Sequence, residues 1–166
     1  RARARGARGH ARLAGWGLSC DATHLTKPDA AGQARALAAA LRRAELTPRD
    51  VGYCNAHGTA TRIGDAVECE ALGRVFGDAL DGLAVSSTKA LHGHLLGAAG
   101  ALEAVVTVLA LERGALPPNM HAEAVDPECR VRLVQPGGTA LPGMSAAISS
   151  SFAFGGTNAV LAFTHA

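Results

Sequence analysis

The sequence is poor in aromatic residues, which limits what its basic opening segment can bind. Of 166 residues only 4% are Phe, Trp or Tyr. The segment Arg1–Arg8 carries four arginines and no acid, which is typical of a nucleic-acid arm or of an acid-poor transit peptide. No aromatic side chain lies among these arginines to stack on a base. We therefore expect a solvated loop or edge that leads into a strand, and no nucleic-acid partner.

Paired cysteine motifs are absent as well. The four cysteines, which follow no regular spacing, are Cys20, Cys54, Cys69 and Cys129. No secretory signal pattern precedes them, so we expect reduced thiols in a cytoplasmic setting. A metal centre of Cys54, His57, His92 and His94 is a rival interpretation of the histidines. Its spacing is looser than that of known zinc motifs, and we predict no metal.

One long apolar run could be either a membrane span or a buried core helix. Residues 93–113 are long enough to consider for a membrane span, but Glu103 lies near their middle. We therefore predict a core helix over 93–113 that ends at Gly114, and no membrane partner. Its glycines are expected to lie on or near one helical face and to let another backbone approach closely. These glycines are Gly93, Gly97 and Gly100.

The chain as a whole alternates between strand and helix patterns. Besides the helix above, helices are predicted at 31–44 and 65–77. Strands are predicted at 11–18, 51–55, 83–87, 131–134, 144–152 and 159–163. This order predicts an α/β fold with helices packed against a mixed sheet, and one domain over residues 1–166. Because the chain begins with Arg and runs straight into a strand, we expect a piece of a longer chain or one half of a split one.

Three polar loops follow predicted strands, and they carry His57, Lys89 with His94, and Phe154. Loops at the same edge of a layered sheet converge in space. Two imidazoles that donate to one developing oxyanion suit decarboxylation to an enolate or attack on a thioester carbonyl. Lys89 would fix their protonation, and it could also reach Glu103. A direct contact between Glu103 and His94 is not expected, since they lie on roughly opposite sides of the predicted helix.

Six short motifs occur in a fixed order along the chain. They are Asp21-Ala-Thr-His-Leu-Thr26, Asn55-Ala-His-Gly-Thr-Ala-Thr61, Gly64-Asp65, Ser86-Ser-Thr-Lys89, Gly93-His-Leu-Leu-Gly-Ala-Ala-Gly100 and Ser151-Phe-Ala-Phe-Gly-Gly-Thr-Asn158. In order and spacing, this set resembles the C-terminal half of β-ketoacyl-[acyl carrier protein] synthases over nearly the whole chain. The resemblance implies a thiolase-like fold, of which this chain supplies the second of two related halves.

The resemblance also implies an activity and its residues. The reaction is a decarboxylative Claisen condensation of malonyl-carrier protein with an acyl thioester, in fatty-acid or polyketide biosynthesis. The implied catalytic residues are His57, Lys89 and His94. The implied substrate-binding residues are Thr26, Thr59, Thr61, Phe152 and Phe154, with Phe154 as a gate to the acyl pocket. The implied supporting acids are Asp65, Glu68 and Glu103.

Cofactor and partners follow from the same resemblance. No cofactor is implied, because the substrates travel on the phosphopantetheine arm of acyl carrier protein. The implied partners are that carrier protein, the N-terminal half of the synthase, and a second subunit in a homodimer or heterodimer. The family's nucleophilic cysteine lies in the N-terminal half, and no cysteine here has its setting. We therefore expect residues 1–166 alone to show no elongation activity.

Two positions depart from the family pattern. Arg62 stands where Pro is common, and Ala153 stands where Gly commonly precedes the gating Phe. A Cβ at residue 153 disfavours positive φ and is expected to stiffen the gate.

A non-catalytic partner, such as the chain-length subunit of a polyketide synthase pair, is the alternative function. Retention of His57, Lys89 and His94 favours the enzyme, since a structural partner has no need of all three. A thiolase shares the fold, but it would be expected to offer a second cysteine in one of these loops. The identity of the residue at the nucleophile turn, encoded upstream, would decide between enzyme and partner.

Overall fold

The computed structural model describes residues 1, 3–122 and 124–166. Its strands are β1 (Arg12–Cys20), β2 (Val51–Asn55), β3 (Ala84–Ser86), β4 (Ala115–Leu116), β5 (Arg132–Leu133), β6 (Thr139–Ala140), β7 (Ala146–Ala153) and β8 (Thr157–Thr164). Its α-helices are α1 (Ala30–Ala44), α2 (Gly64–Phe76), α3 (Lys89–His92) and α4 (Ala99–Arg113). Short 3-10 turns lie at Arg3–Arg5, Pro48–Asp50, Gly77–Gly82, Leu96–Ala98 and Phe154–Gly156.

Most of the strands form one mixed sheet in the order β1-β8-β7-β2-β3-β5. Strands β1, β8 and β7 pair antiparallel, whereas β7, β2, β3 and β5 pair in parallel. The short strands β4 and β6 form a separate antiparallel ribbon. The carboxyl ends of β7, β2 and β3 therefore lie at the same edge, and the loops that leave these strands open onto the same side of the sheet.

Helices cover both faces of this sheet. On one face, α1 and α2 share a buried cluster with the strands, which includes Leu37, Leu41, Leu72, Ile148 and Val160. On the other face, α4 shares a second cluster, which includes Tyr53, Ala110, Leu111, Ala147 and Phe163. The predicted α/β architecture, with helices against a mixed sheet, is confirmed.

Helix α1 packs directly on β1 because the strand carries glycine where the helix crosses it. A Cβ on Gly17 would lie 1.9 Å from the carbonyl oxygen of Ala36, so no larger residue fits there without moving the helix. The helix begins at a capped turn, in which Asp29 Oδ1 accepts a hydrogen bond from the Ala31 N–H at 3.0 Å. The close approach of helix and strand places α1 against β1 over most of its length.

The predicted helix over 93–113 is wrong at its beginning. Helix α4 starts only at Ala99, although it ends before Gly114 as predicted. The backbone has positive φ at Gly93 (76°) and at Leu96 (50°), which no α-helix accommodates. The Leu96 N–H donates to His94 Nδ1 at 3.2 Å instead of to a helical carbonyl. The hydrogen bond to the His94 side chain favours a loop over a helix in this segment.

Among the described residues, no backbone closely approaches the glycines of this run. A Cβ on Gly93 or Gly97 would meet no heavy atom of the described residues within 4 Å. A Cβ on Gly100 would lie 3.4 Å from Ser151 Oγ, an ordinary contact. The three glycines do not share a helical face, because the first two lie in the loop before α4.

The other predicted elements are confirmed to within about two residues at most ends. The ribbon of β4 and β6 was not predicted, because two-residue strands show no periodicity. Residues 4–10 of the basic opening segment are exposed and precede β1, as expected for a solvated loop. Among the residues with described structure, no helix has the length and hydropathy needed to cross a bilayer.

Candidate active site

His57 follows β2 in a loop that Glu68 of α2 holds in place. The backbone N–H groups of His57 and Gly58 donate to Oε1 and Oε2 of Glu68, both at 2.9 Å. From the other side, Ser87 Oγ donates to the Gly58 carbonyl at 2.8 Å. Gly58 has a φ of 35°, and a Cβ there would lie 2.6 Å from Ser87 Cβ, so glycine is required. The loop is fixed to both neighbouring elements.

Lys89 opens α3 and forms a buried ion pair with Glu103 of α4. Its Nζ donates to Glu103 Oε1 at 2.5 Å, and the two side chains are 5% and 1% exposed. The second carboxylate oxygen, Oε2, has no hydrogen-bond partner among the described residues. The Glu103 backbone carbonyl accepts from Thr107 Oγ1 at 2.7 Å. Lys89 was expected to be able to reach either Glu103 or His94, and it bonds to Glu103.

The imidazoles of His57 and His94 lie next to each other. Their ring centroids are 5.8 Å apart and their planes are nearly perpendicular, at 84°. The ring of Phe152 lies 6.1 Å from that of His57 on a buried strand position. Because the Leu96 N–H donates to His94 Nδ1, the proton of the neutral His94 ring lies on Nε2. In that form, Nε2 is the donor nitrogen of His94.

Burial and charge keep the His57 ring neutral near pH 7. Burial, and to a smaller extent the charges of Lys89 and His94, together lower the pKa of His57 to about 4. A neutral imidazole has one N–H donor and one acceptor nitrogen. Burial also raises the pKa of Glu68 to about 7, against the opposite effect of its two backbone hydrogen bonds.

A cleft of about 640 Å³ opens beside this pair. Several of the residues that the sequence singled out line it, namely Thr59, Thr61, Asp65, Glu68, Lys89 and His94. His57 adjoins the cleft through His94, and Phe152 adjoins His57; neither lines the cleft itself. The volume is in the range that holds a small-molecule ligand.

Two predicted substrate-binding residues lie apart from this cleft. Phe154 is 81% exposed, and Thr26 is also exposed. They are neighbours through the backbone, because the Gly155 N–H donates to the Leu25 carbonyl at 2.7 Å. Ala153 is extended at φ −107°, and the turn is made by Gly155 at φ 80°. The stiffening expected from the Cβ of Ala153 stays a prediction.

Two asparagines behind the site, the buried Asn55 and the half-buried Asn119, have partners that the sequence did not predict. Asn55 Nδ2 donates to the Glu103 carbonyl at 3.3 Å, and Asn55 Oδ1 accepts from Thr88 Oγ1 at 3.3 Å. Asn119 Oδ1 accepts from the Ser87 N–H at 3.1 Å. A signal existed for Asn55, since an amide at the end of a buried strand needs partners. Asn119 lies in a loop and gave no such signal.

The rival metal centre is not assembled. Cys54 is fully buried, with its Sγ 3.9 Å from Ser150 Oγ, and burial raises the pKa of its thiol. The nitrogens of His92 are taken up by the Gly93 carbonyl at 2.8 Å and by Thr88 Oγ1 at 3.1 Å. Within residues 1, 3–122 and 124–166, no three His, Cys, Asp or Glu side chains are grouped as metal ligands.

Residues 10–123 match the family model described as the β-ketoacyl synthase C-terminal domain. The chain belongs to the β-ketoacyl synthase family. It is 44% identical over 162 residues to 3-oxoacyl-[acyl-carrier-protein] synthase 2 of Synechocystis sp., which covers 96% of this chain and 39% of that protein. The resemblance predicted from the ordered motifs is confirmed.

Solved structures of the family superimpose closely on the chain. The ishigamide ketosynthase/chain length factor matches with a TM-score of 0.94 and 38% identity, over 99% of this chain and 40% of the other. A type II polyketide synthase acyl-carrier protein in complex with its ketosynthase bound to the hexaketide matches with a TM-score of 0.94 and 32% identity, over 99% and 41%. The thiolase-like fold is confirmed, and the chain spans about two fifths of the length of the relatives it matches.

Proposed function

We propose that this chain is the C-terminal catalytic half of a 3-oxoacyl-[acyl carrier protein] synthase. The synthase would condense malonyl-carrier protein with an acyl thioester and release carbon dioxide. The observation that carries this proposal is the pair of imidazoles, His57 and His94, 5.8 Å apart beside a cleft. A neutral His57 and a His94 with an Nε2–H supply two donors to one oxygen. Membership of the β-ketoacyl synthase family supports the same reaction class.

In the decarboxylation step, the bond between the malonyl α-carbon and its carboxylate breaks. The electron pair moves into the adjacent thioester, whose carbonyl oxygen becomes an enolate oxygen. N–H groups of His57 and His94 would donate to that oxygen. Preformed donors stabilise the developing charge without a reorganisation cost at the moment of reaction. The enolate carbon then attacks the acyl thioester, and the thiol that carried the acyl group leaves.

We assign Lys89 to positioning and electrostatics rather than to contact with the substrate. Its ammonium group is held by Glu103 in the interior, so its orientation changes little when substrate enters. Its positive charge lowers the pKa of His57 and so favours the neutral imidazole. A neutral ring can donate to the enolate oxygen and still accept a proton at its other nitrogen.

A second polypeptide segment has to complete this site. Cys54, the cysteine nearest in sequence to His57, is buried and hydrogen-bonded elsewhere. We therefore place the nucleophilic thiol in an N-terminal half. Large apolar side chains around the site are exposed, including Leu91 (52%), Leu96 (78%) and Val105 (56%). A covering half would bury them, which supports this partner.

Acyl carrier protein is the proposed donor of both substrates. The name of one similar structure describes a carrier protein in complex with its ketosynthase, and we transfer that partner to this chain. The thioester would enter through the cleft lined by Thr59 and Thr61, whose hydroxyl groups can hydrogen-bond the amides of an extended pantetheine arm.

The test uses the complete synthase with His57→Ala and His94→Ala. We expect decarboxylation of malonyl-carrier protein to fall by about 10² to 10³ in each variant, since each removes one oxyanion donor. Acyl transfer from the primer to the nucleophile should persist. His10→Ala is the control, because His10 is an exposed histidine paired with Glu112. Decarboxylation within about twofold of wild type in either site variant would refute the proposal.

A non-catalytic partner subunit is the second candidate. The name of one close structural neighbour includes a chain length factor, so the fold accommodates that role as well. Such a subunit would need neither the imidazole pair nor the buried Lys89–Glu103 ion pair. The residue at the nucleophile turn distinguishes the two: a cysteine supports the synthase, and an inert residue there supports the partner.

A further inference from the structure

A third histidine near the site has no part in the reaction proposed above. His92 is the last residue of α3, it lies shortly before His94 in the chain, and its ring is half-buried. Its Nδ1 lies 2.8 Å from the Gly93 carbonyl oxygen, and its Nε2 lies 3.1 Å from Thr88 Oγ1. A carbonyl oxygen can only accept, so Nδ1 carries a proton and donates to that oxygen. The His92 ring therefore holds the backbone carbonyl that immediately precedes His94.

The Gly93 carbonyl controls the direction in which the chain enters His94. It shares one peptide plane with the His94 N–H, so a bond that fixes its oxygen also fixes that plane. Gly93 has a φ of 76° and a ψ of 177°, and the backbone of a glycine can take many other values. A Cβ on Gly93 would meet no heavy atom of the described residues within 4 Å, so packing restrains this residue little. The hydrogen bond from His92 supplies the restraint instead.

The other nitrogen of His92 connects the ring to the interior. Its neighbour Thr88 immediately precedes α3 and is 1% exposed. The Thr88 hydroxyl oxygen lies 3.3 Å from Oδ1 of Asn55, the last residue of β2, and Asn55 Nδ2 donates to the Glu103 carbonyl of α4. His92 thus joins the loop that carries His94 to a buried, hydrogen-bonded part of the fold.

Few other contacts hold the loop of residues 93–98, all of which are exposed. The Gly93 N–H donates back into α3 at 2.8 Å, and the Leu96 N–H donates to His94 Nδ1 at 3.2 Å. The first bond fixes the peptide plane before Gly93, and the second lies beyond the His94 backbone. Within the part of the chain that the structure describes, the plane between Gly93 and His94 is hydrogen-bonded through His92 alone.

We propose that His92 is a positioning residue of the candidate site and orients His94 through the Gly93 carbonyl. With that plane fixed, the His94 ring stays 5.8 Å from the His57 ring, and both rings can donate to one oxygen. His92 would not contact the substrate, because both its nitrogens are engaged with protein groups. This inference rests on the function proposed above, since it gives His92 a part only in the step that uses His94.

The first test measures decarboxylation of malonyl-carrier protein by the complete synthase. His92→Phe keeps a ring but loses both hydrogen bonds, so we expect the rate to fall about tenfold through misplacement of His94. Asparagine places an amide N–H where Nδ1 was, whereas glutamine places one near Nε2. His92→Asn should therefore keep at least about a third of the wild-type rate, and His92→Gln should resemble His92→Phe. His10→Phe, at an exposed histidine, is the matched control and should stay within about twofold of wild type.

A double variant separates positioning of His94 from a general loss of structure. In a His94→Ala background no imidazole is left to orient, so His92→Phe should change the remaining rate by less than about twofold. A loss of about tenfold in both backgrounds would overturn the proposal, because His92 would then act other than through His94. Equal rates for wild type and His92→Phe, or for His92→Asn and His92→Phe, would overturn it as well.

Amide hydrogen exchange tests the geometry without reference to condensation. The Leu96 N–H donates to His94 Nδ1, so its protection reports the position of the His94 ring. We expect exchange at Leu96 to be at least about fivefold faster in His92→Phe than in wild type, and close to wild type in His92→Asn. If His94→Ala leaves decarboxylation intact, the proposed function fails, and exchange at Leu96 still decides whether His92 orients His94. Unchanged exchange in His92→Phe would overturn the inference even where the proposed function stands.

Discussion

The two imidazoles of the candidate site are held in different ways. The His57 loop is fixed by three hydrogen bonds, two to the Glu68 carboxylate and one from Ser87. The His94 loop is exposed from residue 93 to 98, and the His94 ring accepts one bond, from the Leu96 N–H. The folding of this chain alone places His57. The position of His94 rests on fewer contacts. A segment that covers this loop would therefore stabilise it more than it would the His57 loop.

The buried ion pair of Lys89 and Glu103 should give the largest effect on stability. Lys89→Met leaves Glu103 charged and unpaired in the interior, so we expect a loss of about 3 to 5 kcal/mol in the free energy of unfolding. Urea denaturation followed by circular dichroism measures it. The double variant Lys89→Met/Glu103→Met removes both charges and should recover most of the loss. If the double variant is as unstable as the single one, the pair matters through packing and not through charge.

The next effect comes from the anchor of the His57 loop. Glu68→Gln replaces one acceptor oxygen by an NH₂ group that faces a backbone N–H, so we expect a loss of about 2 kcal/mol in the same measurement. Glu70→Gln is the matched control on the same helix. Glu70 is exposed and paired with Arg74 four residues along, so its replacement should cost no more than about 0.5 kcal/mol. Equal losses in the two variants would mean that Glu68 is no special anchor.

His57 and Glu68 should change the stability of the fold with pH in opposite directions. Because the pKa of His57 falls from its ordinary 6.5 to about 4 on folding, the unfolded chain binds more protons between these values. The contribution of His57 to stability is therefore complete above pH 6.5 and is lost as pH falls towards 4. Glu68 acts in the opposite sense, since its raised pKa gives a contribution that is lost as pH rises from 4.5 to about 7.

A difference measurement separates the two groups. We expect the stability of wild type minus that of His57→Phe to rise with pH between 4 and 6.5, because only the first protein carries the histidine. The same difference for His94→Phe serves as the comparison, since His94 is exposed. A flat profile for His57 between pH 4 and 6.5 would contradict the burial of its ring. Urea denaturation at a series of pH values measures both profiles.

The elements that hold His57 were also the ones that the sequence predicted best. Strand β2 and helix α2 have clear periodicity, and both were predicted within one residue. Parallel strands bring their carboxyl ends to one edge, so the meeting of His57 with the Lys89 loop followed from strand order. The family resemblance then named Glu68 and Glu103 as supporting residues. Lys89 was expected to be able to reach Glu103, but the spacing gave no information on the partners of Glu68.

The His94 side was predicted less well for a physical reason. Residues 93–98 are good helix formers or glycine, and the helix pattern of α4 runs through them without a break. The loop forms because His94 Nδ1 competes for the Leu96 N–H and because Gly93 takes positive φ. Such a local competition between a side chain and the backbone leaves no periodic signal. The exposure of Phe154 was missed for a related reason, since it depends on which segments cover the site.

The smallest expected effect lies in the His94 loop itself. Leu96 has a φ of 50° and is 78% exposed, so it carries left-handed strain of about 1 kcal/mol with little packing in return. Asparagine tolerates this conformation better, and we expect Leu96→Asn to raise the free energy of unfolding by about 0.5 kcal/mol. Leu25→Asn, at an exposed leucine without positive φ, should change stability little. A loss above about 1 kcal/mol in Leu96→Asn alone would mean that Leu96 is buried against another segment, so that contacts outside this chain, and not its own fold, fix the second imidazole.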